Sequence, residues 1–542
     1  MAAVPIIRTC KHLLGADRAA LAAAALLLAA PAFAQSSGAG NSAYVRARIA
    51  DAAGLAAPAS AGYSAALAAD PNDEILAMRA YRHALAAGDY NLASRAAAVL
   101  VRAGTAPPDT ALLAFAIALK TEDRKGTEAA LARMSRGPLN FLLPVLEAWV
   151  TLDRREDPMP LLAKAQGNAL AMRFAGHHRA LLLIATGQHD EAVKTVAELL
   201  GEGDDDLRID AAALFTGMGQ RKLADMMIPG DRLDYARLRK QMGKGIKPNA
   251  AFGASRLFLG VAEDIAAQEI PVLSILLTRA ALLLDPADDR ARLYLAEALS
   301  QSGATAMALA ELGKVSSASP YRRGAQVGMI AAHQRAGQPA DALPLAKALA
   351  AGPEATSADE RTYGDVLSAN TQYAAAATAY GAALGKSDGD SDWELHYLHG
   401  SALDRAGAWS EALPALQRAV ALGPDQPTAL EYLGYAQVLR GENLPEAQEL
   451  LERANKLKPD DPGISASLAW AYFTRGDVER AVPLLENAVQ GDPNDAITNE
   501  HLGDAYWRLG RHYEARYAWS AAVIQADNDA VRRIEDKLAK GL

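Results

Sequence analysis

The sequence predicts an all-α protein, a right-handed solenoid of stacked helix–turn–helix units. The first observation is a repeat. A Leu-Gly-like pair recurs as His399-Gly400, Leu433-Gly434, Leu468-Ala469 and Leu502-Gly503, at steps of 34 or 35 residues. The second is the order of small residues inside each repeat. A further glycine follows at Gly407, Gly441, Gly476 and Gly510; alanines come next at Ala412, Ala447, Ala481 and Ala515, then at Ala419, Ala454, Ala488 and Ala522. The third is composition: alanine is abundant, β-branched runs are scarce and aromatics are only 6%. That suits close-packed helices rather than sheets. A chain of 542 residues exceeds one ordinary core, and a stack resolves this because each unit packs on its neighbours.

The elements follow in order. Residues 1–34 read as a secretory signal peptide. Arg8, Lys11 and Arg18 give a basic start, Ala19 to Ala30 is an apolar run of 12, and Ala32-Phe33-Ala34 is a small-x-small site before Gln35. Twelve apolar residues are too few to span a bilayer, and no stretch of about 20 follows. The expected mature chain starts at Gln35, lies in the periplasm and has no transmembrane segment. Cys10 is the only cysteine and precedes the apolar run, so the mature chain has no disulfide, thiol nucleophile or cysteine metal site. Residues 35–42 are Ser/Gly-rich and expected to be a linker.

Divergent repeats are expected over 43–228. A glycine followed five positions later by alanine recurs as Gly88/Ala93, Gly187/Ala192 and Gly219/Ala224, but the turns near Glu122 and Arg155 lack the glycine. Residues 229–254 carry Pro229, Gly230, Gly243, Gly245, Pro248 and Gly253, and are expected to be a boundary between two arms. Middle repeats are placed at 255–386, with Gly303/Ala308 and Gly337/Ala342. The best-formed repeats occupy 387–529, and 530–542 is a charged capping helix. Length divided by period gives on the order of 12 to 14 helix pairs. Each turn glycine supplies a positive φ between antiparallel helices. The alanines mark close helix approach, and Pro424, Pro459 and Pro493 end the second helices.

The pattern resembles the tetratricopeptide repeat. Leu433, Gly434, Ala447, Ala454 and Pro459 carry the likeness in one unit, and Leu502, Gly503, Tyr506, Ala515 and Ala522 in the last. Residues 390–542 are also similar to exported repeat proteins of the Gram-negative envelope, some of them lipid-anchored. This chain lacks the anchoring cysteine of those members. The resemblance implies a non-enzymatic scaffold or adaptor that binds other proteins. It also implies that the first helix of each unit lines a concave groove.

Read at the family's offsets, the groove residues are Tyr397, Ser401, Asp404 and Arg405, then Glu431, Tyr435, Val438 and Leu439. The third unit gives Ala466, Trp470, Phe473 and Thr474, and the last Glu500, Asp504, Trp507 and Arg508. Aromatic anchors among mixed charges suit recognition of an extended or helical segment. The alternatives are a structural spacer within an envelope or export assembly, and a substrate adaptor for a periplasmic protease.

The search for chemistry yields no enzyme, cofactor or metal site. Gly243-Lys244-Gly245 lacks the spacing of a phosphate loop. The surrounding Arg232, Arg237, Arg239, Lys240, Lys244 and Lys247 read as a solvated basic helix and loop, or as a second docking surface. Asp388, Asp390 and Asp392 begin like a calcium loop, but Trp393 replaces its glycine and His399 its final glutamate. His396 and His399, and likewise His177, His178 and His189, read as partly exposed helix residues without a zinc-site partner. No Gly-x-Ser-x-Gly elbow supports a serine hydrolase. Net charge is −9, and removing 1–34, which carries a net +2, takes it to −11. That disfavours nucleic acid as a partner.

Overall fold

The computed structural model describes residues 38–199, 205–230, 233–266, 268, 270–386 and 391–542. Every regular element among them is an α- or 3₁₀-helix. Among the described residues there are thirty α-helices, most of them packed on the next as consecutive pairs. The protein is an all-α helical-repeat solenoid. The expected signal peptide, 1–34, lies outside the described residues. The expected linker does not hold throughout: a helix, Gly38–Ala52, starts inside 35–42. Gly38 and Gly40 sit in its first turn, where backbone N–H groups have no intrahelical partner to lose.

The chain divides into two compact units between Leu345 and Ala346. The expected boundary at 229–254 is therefore corrected, because that segment is built into the N-terminal unit. Ile246 N–H donates to Ala213 O at 3.0 Å, and Ala250 N–H to Asp153 Oδ2 at 3.0 Å. Gly253 lies flat on Trp149, where a Cβ would stand 2.0 Å from the indole. Gly245 and Gly253 serve close approach of backbone to core.

Within the N-terminal unit the stack is not a row of neighbours alone. The pair Ala250–Ala266 and Pro271–Leu284 packs against the much earlier helices Glu74–Ala87, Thr110–Lys120 and Leu143–Asp153. Pro271–Leu284 is apolar nearly all round and accordingly buried along its length. Arg279 fixes the return. Its Nε donates to Leu85 O at 2.9 Å and its Nη1 pairs with Glu311 at 2.6 Å. Its Nη2 donates to Ala86 O at 2.5 Å, a carbonyl at the end of helix Glu74–Ala87 where intrahelical donors run out.

A buried ion network lies beside this pair. Arg256 pairs with Asp210, Asp285 and Asp288, each at 2.8 Å. Arg290 shares Asp210 at 2.6 Å and Asp288 at 3.0 Å. Neither arginine side chain is more than 6% exposed.

The C-terminal unit matches the repeat reading closely. Its first helices are Ser357–Ala369, Trp393–Arg405, Pro427–Arg440, Pro462–Thr474 and Ala496–Arg508. Their partners are Tyr373–Lys386, Trp409–Leu422, Leu444–Leu457, Val478–Gly491 and His512–Gln525. The eight repeat alanines are buried at 0–1% exposure. A Cβ on Gly434 would stand 2.8 Å from Leu451 Cγ, so the pair glycine sets the distance between helices. The turn glycines Gly407, Gly441, Gly476 and Gly510 all have positive φ.

Where the glycine is missing, the chain still takes the left-handed turn. Glu122 has φ 57°, Arg155 φ 62° and Thr371 φ 59°. For a β-branched residue this conformation is costly. Thr371→Gly is expected to raise stability by about 1 kcal/mol, the strain of one left-handed residue. A thermal melt reads it; an unchanged or lowered melting temperature contradicts it.

Candidate functional site

The first helices of successive C-terminal units lie side by side, with Pro427–Arg440 against Pro462–Thr474 and that helix against Ala496–Arg508. Side chains at the groove offsets therefore meet the next helix before solvent. Asp404 accepts from Tyr432 OH at 3.1 Å and pairs with Arg440. Arg405 donates to Tyr373 OH and lies 3.7 Å over its ring. Ser401 and Thr474 turn back on their own helices, to Leu398 O and Ala471 O. Tyr397 meets the Tyr432 ring edge-on at 5.6 Å. Tyr435 and Val438 are buried, Ala466 likewise, and Leu439 packs partly buried against the core.

The rings expected as free anchors have partners of their own. Trp470 stacks on Phe473 at 4.7 Å and on His501 at 3.6 Å. Trp507 stacks on His512 at 4.0 Å, and the backbone at Gly541 closes on its ring. Arg508 stays exposed, 5.7 Å from the Phe473 centroid.

Glu500 and Asp504 are corrected most sharply. The helix Asn528–Lys540 places Lys537 Nζ 2.7 Å from Glu500 and 2.6 Å from Asp504, and Arg533 2.7 Å from Glu500. Trp519 Nε1 donates to Asp504 at 2.9 Å. Burial opposes ionisation of Glu500, yet Arg533 and Lys537 hold its carboxyl down at about 2. Burial prevails at Asp504 and pushes its carboxyl up. These two carboxylates serve the end of the stack.

What remains open is a cavity of about 300 Å³ along the starts of three first helices. Glu431 and Tyr435 come from one, Ser467 from the next, and Asp495, Ile497 and His501 from the start of the last unit. Ser467 Oγ donates to Glu431 at 2.7 Å. Of the expected groove residues, Glu431, Tyr435 and Ala466 reach this cavity. Asp495, Ile497, Thr498 and His501 were missed because they lie toward the start of the helix, outside or between the offsets read.

Burial pushes the His501 imidazole down to about 3, and that of His178 likewise to about 3. His178 is buried, not partly exposed as expected, and accepts from Trp149 Nε1 at 2.9 Å, which requires a neutral Nδ1. Below the ordinary histidine value of 6.5 the unfolded chain takes up protons that these folded sites refuse. Stability is thus full above about pH 6.5 and is lost as pH falls toward 3, by up to about 1.4 kcal/mol per pH unit per group. His501→Phe keeps the ring stack and should flatten this dependence in melts of the C-terminal unit between pH 7 and 5. An unchanged slope contradicts it.

The other candidates resolve structurally. Asp392 caps its helix by accepting from Glu394 and Leu395 N–H, while Asp388 and Asp390 lie outside the described residues. Arg239 donates to Ile228 O and Gly230 O, tying down the basic segment, and Arg232 lies outside the described residues. Asp51, His83 and Ser60 come together unforeseen, at 2.8 Å and 3.2 Å. His83 is buried and also 3.3 Å from Ala56 O, so it ties helices together. A cavity of about 510 Å³ opens in the N-terminal unit, where Arg256 and Asp210 pair with each other.

Among the described residues no helix is long and apolar enough to cross a membrane. No curated protein matches the sequence significantly. Solved structures with a similar fold include MamA from Desulfovibrio magneticus RS-1, from residue 41 to its end. It is 20% identical, with 31% of this chain and 94% of that one covered and a TM-score of 0.28. TTC0263, a thermophilic TPR protein in Thermus thermophilus, is 22% identical over 34% of this chain and 100% of that one, with a TM-score of 0.30. Likenesses this low say nothing of what this chain binds. The family model described as tetratricopeptide repeat matches residues 363–427, 397–462 and 466–531. Residues 363–462 and 466–531 are thus tetratricopeptide repeats, and such repeats indicate a protein–protein interaction scaffold.

Proposed function

We propose that this scaffold works in the bacterial periplasm and holds a partner segment along the first-helix face of its C-terminal repeats. The observation that carries the reading is the cavity across three successive first helices, with Tyr435, Ile497 and His501 beside Glu431 and Asp495. Apolar and aromatic surface supplies affinity and the polar groups fix register. The helix Asn528–Lys540 occupies the end of the row, so the open stretch is bounded by Glu431 and His501. Export rests on the signal-like residues 1–34, with cleavage after Ala34. N-terminal sequencing should begin at Gln35; Met1 on an exported form contradicts export by cleavage.

A second reading, the structural spacer, draws on the ring stacks. Trp470 and Trp507 are engaged by the chain's own residues rather than presented to a partner. Capture of partners from envelope extracts separates the two. Ile497→Asp at the rim should abolish capture on the scaffold reading and leave the melting temperature nearly unchanged, since Ile497 is 37% exposed. Capture that survives Ile497→Asp supports the spacer.

A further inference from the structure

The last second helix, His512–Gln525, carries an apolar stripe on its outer face. Tyr513 is 71% exposed, Tyr517 63% and Ile524 77%, with Ser520 exposed between them. The opposite face, with Ala515, Ala518, Trp519 and Ala522, is the one packed into the unit. The repeat supplies an internal comparison. One unit back the same four positions hold Glu479, Pro483, Glu486 and Gln490, and two units back Pro445, Glu449, Glu452 and Lys456. That face is polar, charged or proline-bearing in both earlier units and apolar here. The spacing decides what fits it. Positions 513, 517, 520 and 524 are separated by 4, 3 and 4, the alternation of a coiled-coil seam. This order reads the same in both directions, so the stripe is its own complement about a two-fold axis. With two such helices antiparallel, Tyr513 meets Ile524 of a second copy, and Tyr517 meets its Ser520, a large side chain against a small one. Arg516 then falls toward the second copy's Val523 and Glu514 toward its Ala521, so no like charges are opposed. The polar groups of the stripe are already served within the helix. The Tyr513 and Tyr517 hydroxyls share a hydrogen bond at 3.1 Å, and Ser520 Oγ donates to Arg516 O at 2.7 Å. Drying the face therefore leaves few groups without a partner.

We infer that two copies of this chain associate through the stripe, helix His512–Gln525 of one lying antiparallel on that of the other. The seam runs for about three helical turns. A fully buried tyrosine removes on the order of 150–250 Å² from water. Two tyrosines and an isoleucine thus fall short of the roughly 800 Å² per partner of a standard interface, and the dimer is weak and exchanging. The stripe lies on a second helix, so this association is separate from the first-helix cavity.

Sedimentation velocity of the full mature chain from about 1 µM to about 200 µM covers the range expected of so small an interface. The weight-average sedimentation coefficient should rise with concentration toward that of a dimer. Tyr513→Glu and Ile524→Lys should each weaken association about tenfold or more, as burying an unpaired charge does. Each should melt as the parent does, because both positions are exposed. The double variant Tyr513→Glu, Ile524→Lys should recover association. Its two new charges lie at opposite ends of one helix and can meet only across the two-fold axis. A chain that stays monomeric throughout overturns the inference, as does a dimer indifferent to both single changes. Single changes that disrupt a dimer which the double variant fails to restore overturn the antiparallel pairing. A monomeric chain that needs the stripe to capture a different protein also overturns it and assigns the face to that protein.

Discussion

Arg256→Met should cost the N-terminal unit about 3–5 kcal/mol, the usual penalty for leaving buried charges without their partner. Arg256 is held by three carboxylates, and its removal leaves Asp210 and Asp288 sharing Arg290 alone. Asp285 then has no cation from this network. The desolvated acids must either stay charged at high cost or take up protons. Burial opposes the charge of Asp288, but Arg290 and Arg256 currently keep it well below the usual carboxylate range. The variant should therefore regain stability toward acid relative to the parent. Chemical denaturation at pH 7 and pH 5 checks both parts. A loss under about 1 kcal/mol at pH 7, far below the usual penalty, would show that the network is not a determinant of this unit's stability.

Lys537→Met should act on the other unit, with a loss of about 3 kcal/mol by the same reasoning. Lys537 is 16% exposed in its side chain and serves Glu500 at 8% and Asp504 at 6%. Arg533 remains to hold Glu500, but Asp504 is left with the Trp519 N–H. The helix Asn528–Lys540 should then detach in part, because Ile534 is its only buried side chain. Hydrogen exchange would register this as faster exchange in Ala496–Arg508 and Asn528–Lys540. Protection equal to the parent in both helices contradicts the capping role.

Local signals in the sequence were legible where one residue decides one geometry. The period of Gly434, Ala447 and Ala454 states a fixed helix-to-helix distance, and the structure meets it with full burial of both alanines. The positive φ at Gly407 and Gly476 was legible for the same reason. The return of Pro271–Leu284 onto Glu74–Ala87 was not, because a repeat period encodes nearest neighbours and is silent on distant packing. Its sign was the apolar run from Ile275 to Leu284, broken only by Thr278 and Arg279. Arg279 is the residue that caps the distant helix.

The site divides in a similar way. Of the residues at the family offsets, Glu431, Tyr435 and Ala466 line the cavity at the starts of the first helices. They could not tell an open position from one met by a neighbour. Tyr397 finds Tyr432, Trp470 finds His501, and Asp504 finds Lys537, each on a different helix that only the stacked geometry brings alongside. Burial at 3% similarly overturned the exposed reading of His178, whose partner Trp149 lies 29 residues away.

The central claim is that partners dock on the first-helix face between Glu431 and His501. The most direct measurement is in-cell photocrosslinking from a benzoylphenylalanine placed singly at Thr428, Ile497 or Asn487. Thr428 and Ile497 line the cavity, while Asn487 is exposed on the second helix Val478–Gly491. The expected result is a common crosslinked partner from Thr428 and Ile497, absent from Asn487. Crosslinks from Asn487 with none from Thr428 or Ile497 would contradict the claim and move partner binding off this face.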